Sequence, residues 1–426
     1  MPGMTGPRSW PSLADKLSAR QNGFGLLRLL LSLAVVVAHG RQIGFGLSSP
    51  LYEPSHHQVG LGDLAVCGFF ALSGLLITRS AMRINLRRFL WHRMVRILPG
   101  FWACLLVTVF IAGPILARHD GIPLHRYLHD PSGPWAYLQA NWSLSWGQAG
   151  ISGILAHVPI PGEINGSIWS LRLEMLCYLA VAALAATEVL RRNRAVVLLL
   201  VLGGWLYLWT IVAGAPQLRS YIYAPTPDNW TLPFLGAISL SQLLPLMVIF
   251  GLGALAQLYR EQLPVHGSLA LVSAALCVGT FHYGGFTVVG IPAFVYLVIW
   301  CGVSTPRPLT RIGSKVDLSY GLYIYSFIVE QGLVAFHGNR WGLLPYLAIA
   351  FTVSLGAAAC SWHLVERPAL RWKDRTLGEL LPPFLRGRPA AHGPAMDGAA
   401  PAVVPAPAAR ESVESGAANR HRRTSL

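Results

Sequence analysis

Phe24-Gly25-Leu26-Leu27-Arg28-Leu29-Leu30-Leu31-Ser32-Leu33-Ala34-Val35-Val36-Val37-Ala38-His39-Gly40 is an apolar run broken only by Arg28, Ser32 and His39. Roughly 17 to 25 apolar residues suffice for a helix to cross the hydrocarbon core of a bilayer, so this stretch reads as a membrane helix with two ionisable groups inside it. Working outward, comparable runs recur near 61–78, 97–117, 168–190, 195–213, 241–259, 267–282, 286–303, 317–335 and 344–364. The expected fold is therefore an all-α, polytopic membrane bundle of about ten transmembrane helices, an even number that puts both termini on one side.

Composition agrees. Of 426 residues, 53% are hydrophobic and only 12% charged, which describes a chain dissolved mainly in lipid. The net charge of +15 is carried almost wholly by arginine, since Lys16, Lys315 and Lys373 are the only lysines. These cations sit in short blocks between apolar runs, which is an orientation signal and not a nucleic-acid footprint. Arg79, Arg83, Arg87, Arg88, Arg93 and Arg96 fall between the second and third spans. Arg191, Arg192 and Arg194, then Arg307, Arg311 and Lys315, fall in alternate loops. The positive-inside rule makes these loops and both tails cytoplasmic.

The opposite loops fit. Segment 118–167 holds few charges and places Trp135, Trp142 and Trp146 at an interface, as an outer lid or acceptor platform would. Residues 1–22 form a cytoplasmic lead-in with no cleavable signal peptide expected. The membrane domain covers 23–375. Alanine, proline and glycine dominate 376–426, which reads as a disordered cytoplasmic tail ending in Arg420-His421-Arg422-Arg423. The six cysteines all lie in apolar stretches and are expected to be small buried hydrophobes, with neither a disulfide framework nor a zinc spacing. No metal site is expected, His56-His57 reading as a solvated pair.

Three constellations carry chemistry. Arg28 and His39 are eleven residues apart, which at 100° per residue returns them to one helix face, roughly 16 Å apart along the axis. Ionisable groups at that depth usually face a bundle interior and mark a functional path; the bland reading of Arg28 is snorkelling to headgroups. Glu174 follows Asn165-Gly166-Ser167-Ile168-Trp169 into the fourth span. It is placed close in depth to His39, where a carboxylate could stabilise an imidazolium or simply hold the helix. Finally, Arg88, Arg93 and Arg96 stand beside Phe89, Trp91 and His92; guanidinium forks suit phosphate, although dense arginine here is equally a topology signal. No P-loop, dinucleotide fingerprint, Gly-x-Ser-x-Gly elbow or His-Glu-x-x-His is present.

Taken together these segments resemble the acyltransferase-3 family of integral-membrane acyltransferases. Arg28 through His39 looks like its Arg-x10-His segment, and Gly62 through Thr78 is similar to its second-helix signature. Arg93 to Pro99 looks like its arginine-rich loop, and Asn165 to Glu174 like its Asn-Gly-x-x-Trp-x-Leu-x-x-Glu block. Ser319-Tyr320-Gly321-Leu322-Tyr323 and Glu366-Arg367-Pro368 close the series. The resemblance covers about 20–375 and implies transfer from cytoplasmic acetyl-CoA to a hydroxyl of a cell-surface or secreted glycan, in the inner membrane. Arg28 and His39 would be the essential pair, and Arg88, Arg93 and Arg96 would lie near the CoA phosphates. Gly25, Cys67 and Ser326 depart from the family, which often has aspartate, aspartate and histidine there. A flippase for a lipid-linked sugar, and transfer of another acyl group such as succinyl, remain competing readings.

Overall fold

The computed structural model describes residues 10–18, 22–214, 229–232 and 235–374. The expected tail, 376–426, lies outside the described residues. Ten long helices follow in order: α1 (Phe24–Phe45), α2 (Leu61–Ala81), α3 (Leu86–Val107), α4 (Trp169–Ala186), α5 (Arg194–Gly214), α6 (Leu240–Leu258), α7 (Gly267–Tyr283), α8 (Ile291–Ser304), α9 (Ser319–Ala335) and α10 (Leu343–Ser361). Among the described residues eight helical segments are long and apolar enough to cross a membrane. Helix α7 is apolar but shorter, and α9 has 17 residues. Lipid offers no partner to a bare N–H or C=O, so runs of this length can only close their hydrogen bonds within a helix.

Two features depart most from the sequence expectation. The third span does not begin at 97. Asn85 caps an earlier start, its side chain accepting from the Arg88 backbone N–H at 2.9 Å, and the helix continues as Leu86–His119 through Pro99 and a wide turn at Thr108–Ala112. The arginine run expected as a loop is thus the opening of α3. A small antiparallel hairpin, β1 (Asn229–Leu232) with β2 (Gly236–Ser239), also interrupts the all-helical plan. Gly236, the first residue of β2, has φ +71°, a left-handed conformation that glycine adopts without strain.

Cys67, Cys104, Cys177 and Cys277 are buried as expected, but Cys301 on α8 and Cys360 on α10 are exposed. Apolar sequence does not separate the two cases, because a lipid-facing position is as hydrophobic as a core one. The tryptophans of 118–167 also divide. Trp135 and Trp142 are exposed, whereas Trp146 is half-buried beneath the Arg172 guanidinium, 5.4 Å from its ring.

Helix α1 runs along α9 in the same direction. Ser32 Oγ donates to the Ser319 carbonyl at 2.7 Å, Val36 packs with Leu322, and Ile43 packs with Phe327 and Val334. Helices α2 and α6 meet backbone to backbone at small residues. A Cβ added to Gly74 would stand 2.9 Å from the Phe250 carbonyl carbon, and one on Gly253 would stand 3.0 Å from the Ala71 carbonyl carbon. Such contact substitutes for a hydrophobic drive that lipid does not supply. Replacing a mid-helix glycine by alanine ordinarily stabilises, by about 1 kcal/mol. Gly74→Ala is expected to do the reverse, lowering stability by about 1 to 3 kcal/mol through overpacking; thermal unfolding in detergent reads the sign.

Candidate active site

The site begins with a close backbone approach. Gly25, in the first turn of α1, lies against Gly313, which has φ +70°; a Cβ on Gly25 would come within 2.6 Å of the Gly313 carbonyl carbon. An aspartate side chain has no room at 25, which gives that departure from the family a packing cause. The contact seats the segment before α9 on the start of α1, and four residues later Asp317 reaches Arg28.

Asp317 joins two cations. Its Oδ2 is 3.0 Å from Arg28 Nη2 and 2.5 Å from Arg96 Nη2, while Oδ1 accepts from Ser319 Oγ at 2.5 Å. Arg96 also lies 3.5 Å from Glu366 Oε2 and 5.6 Å from the Tyr320 ring centroid, and Ser361 Oγ donates to Glu366 Oε1 at 3.0 Å. The Glu-Arg-Pro segment after α10 thereby closes onto α3. Arg28 is paired across the bundle and not merely snorkelling.

Two cavities open from this frame. The first, of about 140 Å³, is lined by Arg28, Ser73, Arg93, Arg96, Glu174 and Tyr178, with Phe69, Tyr320 and Tyr323 among its apolar walls. The second, of about 350 Å³, is lined by His39, Gln42, Asp63, Trp169 and Tyr323. Val66 and Tyr323 line both. Tyr323 is held there by a 2.6 Å hydrogen bond to Ser170 Oγ and by the edge of Phe69, 5.8 Å between centroids. The helix face shared by Arg28 and His39 therefore serves two adjoining chambers, separated by one tyrosine and one valine.

Glu174 falls in the first chamber and not beside His39. Its Oε1 accepts from Ser73 Oγ at 2.8 Å and from the Tyr178 hydroxyl. The reason is depth: Trp169 lines the His39 chamber, and five residues along α4 carry Glu174 roughly 7.5 Å further. The entry of α4 is fixed by Asn165, whose Oδ1 accepts from Ser167 N at 3.2 Å and whose Nδ2 donates to the Ile324 carbonyl at 2.9 Å. Arg172 turns away from Glu174 and donates to the Ser145 carbonyl at 3.1 Å.

The arginine run divides as well. Arg93 and Arg96 enter the first chamber, and Arg93 lies 6.0 Å from the ring centroids of Phe89 and of Tyr178. Arg88 is exposed in the first turn of α3, its Nε 3.4 Å from His92 Nε2. His56 and His57 stay clear of both chambers, His57 pairing with Glu53 at 2.8 Å.

Several buried polar atoms lack a partner: Arg28 Nε, Arg93 Nε and His39 Nδ1 among them. Buried polar atoms without a partner are uncommon and mark places where a catalytic or ligand-binding role is worth seeking. His39 also meets the edge of Phe327 at 5.2 Å between centroids. Sequence reasoning missed Asp317, for which only its place two residues before the Ser319-Tyr320 motif was a signal. It also missed Glu330, fully buried on α9 with neither carboxylate oxygen bonded. Glu163, counted only as an outer-loop charge, is partly buried next to Gly166, and burial raises its carboxyl above the usual range.

Comparison with known proteins gives this arrangement a family. A family model described as an acyltransferase domain matches residues 21–363. An O-acetyl transferase of Shigella phage Sf6 is 27% identical over 358 residues, covering 82% of this chain and 96% of that protein. Nodulation protein 10 of Rhizobium leguminosarum bv. viciae is 25% identical over 399 residues, covering 85% and 97%. No solved structure matches. With the model spanning most of the chain, this multi-pass membrane protein belongs to the acyltransferase-3 family and is an O-acyltransferase.

Proposed function

We propose that the enzyme moves an acetyl group from cytoplasmic acetyl-CoA to a hydroxyl of a cell-surface or secreted glycan. In this reading it crosses the inner membrane ten times, with both termini cytoplasmic. The observation that carries the reading is the pair of chambers meeting at Tyr323, one offering cations with open N–H donors, the other an imidazole with a free ring nitrogen. The printed name of the phage relative supports acetyl as the acyl group.

Acetyl-CoA supplies an acyl carbon already activated as a thioester. The residues of the first chamber fit such a donor, because Arg28 and Arg93 line it and the buried Nε of each has no protein acceptor. Arg28, held by Asp317, is placed to stabilise oxyanion charge as it develops. His39 takes the acceptor hydroxyl proton as the ester C–O bond forms, and returns a proton to the departing sulfur as the C–S bond breaks. Glu174 belongs to the donor side, where it orders Ser73 and Tyr178 and does not act on the imidazole. Tyr323 and Val66 stand where the two chambers adjoin.

Removing a general base costs about 10²- to 10⁴-fold. His39→Ala is therefore expected to abolish O-acetylation, scored by mass spectrometry of surface glycans in deleted and complemented cells, with membrane abundance unchanged. Acetylation that persisted would refute the base assignment, and sugar translocation without acetyl-CoA consumption would favour a flippase. Asp317→Asn leaves Arg28 and Arg96 without their common counter-charge. A loss on the order of 3 kcal/mol in stability, together with at least tenfold slower transfer, is expected. Thermal unfolding and turnover of the same purified sample measure both, and wild-type values would return Asp317 to a dispensable role.

A further inference from the structure

Arg96 is already matched by Asp317 and Glu366, and Arg88 stands exposed outside both chambers. The phosphates of a nucleotide thioester therefore need other cations. A third polar cavity, of about 500 Å³, supplies them: Arg79, Arg83 and Arg260 line it together with Ser18 and Asn22. Among the described residues Arg79 and Arg83 make no ion pair with a carboxylate, and Arg260 has Glu261 at 3.6 Å. Three arginines lining one cavity repel one another unless an anion joins them.

The cavity is built and not a chance gap between loops. The Leu13 N–H donates to the Leu263 carbonyl at 2.8 Å, the Ala14 N–H to the Arg260 carbonyl at 2.9 Å, and the Val265 N–H to the Pro11 carbonyl at 2.9 Å. Leu13 and Leu17 are buried in the main core, so the helical turn Leu13–Ser18 is clamped over the end of α6 as a fixed wall. Its place is equally specific. Leu76 of α2 lines the Arg28 chamber, and Arg79, three residues on along the same face, lines the cationic cavity. From Ser73, which bonds Glu174, to Arg79 is six residues, or roughly 9 Å of helix.

We propose that Arg79, Arg83 and Arg260 seat the phosphate groups of the donor nucleotide, at the mouth of the chamber that holds its thioester arm. The assignment rests on the acyl-CoA reading above. Guanidinium forks bind phosphate oxygens bidentately, and separating this seat from Arg28 and Arg93 leaves those two free for the acyl end. The same cations could serve an anionic lipid headgroup, and the test separates the two sources of phosphate.

The protein in nanodiscs, as wild type, Arg79→Gln and Arg260→Gln, is assayed with acetyl-CoA and with acetyl-pantetheine, which lacks the nucleotide. Either substitution is expected to raise KM for acetyl-CoA about tenfold with little change in kcat, the worth of one charge-assisted hydrogen bond. The gap between wild type and variant should collapse with acetyl-pantetheine. Adenosine 3′,5′-bisphosphate should raise the unfolding temperature of the wild type and not of the variants. Equal losses with both donors, or an unchanged KM, would overturn the proposal. So would stabilisation by phosphatidylglycerol nanodiscs, lost in the variants, without any response to the bisphosphate. A wild type that uses no acetyl-CoA yet responds to the bisphosphate through these arginines would sink the acyl-CoA reading alone and leave the phosphate seat standing.

Discussion

One carboxylate between two guanidinium groups holds the site together. Asp317 lies in a short segment between helices, yet it binds Arg28 of α1 and Arg96 of α3, and through Arg96 it is linked to Glu366 after α10. In a medium of low dielectric each of these charges alone would be expensive, so the cluster is stable only when all members are present. Four parts of the chain far apart in sequence are thereby brought to one place. The Gly25 and Gly313 backbones allow it, since only residues without a side chain let that segment approach α1 closely enough.

The chambers follow from this frame. Because α1 lies along α9, one helix face presents Arg28 to a cationic space and His39 to a second, and Tyr323 of α9 stands between. An acyl transfer across a membrane protein requires a donor and an acceptor to meet while bulk water is kept from the activated ester. The two chambers adjoin at Tyr323 and Val66. Helices α2 and α6 pack tightly against each other, and Phe69 and Ser73 of α2 line the first chamber.

The fold was legible because lipid restricts the choices. A run of about seventeen apolar residues has one stable conformation in a bilayer, and the pattern of such runs located each of the ten long helices, although α1 runs on to Phe45, α4 stops at Ala186, α8 starts at Ile291 and α3 starts well before its expected position. The start of α3 is instructive. Arginines 87 to 96 look like a loop by hydropathy, but Asn85 offers a cap and the charges find partners or solvent, so the helix begins early. Arg28 and His39 were legible for the same reason: an ionisable residue inside an apolar helix stands out. Glu174 was legible as a polar intruder but its neighbour was not, because depth along one helix does not reveal which helix lies opposite.

Sequence by itself determined the family, the helices, and that Arg28, His39, Arg93, Arg96 and Glu174 are ionisable groups placed in or beside membrane helices. Tertiary structure decided their company. It put Glu174 with Ser73 and Tyr178 instead of His39, gave Arg28 to Asp317, and brought Arg260 to the same cavity as Arg79 and Arg83. The division has a physical cause. Hydrophobicity and helical periodicity are local and are written in consecutive residues, whereas ion pairs and cavities arise from packing between helices that the order of residues does not specify.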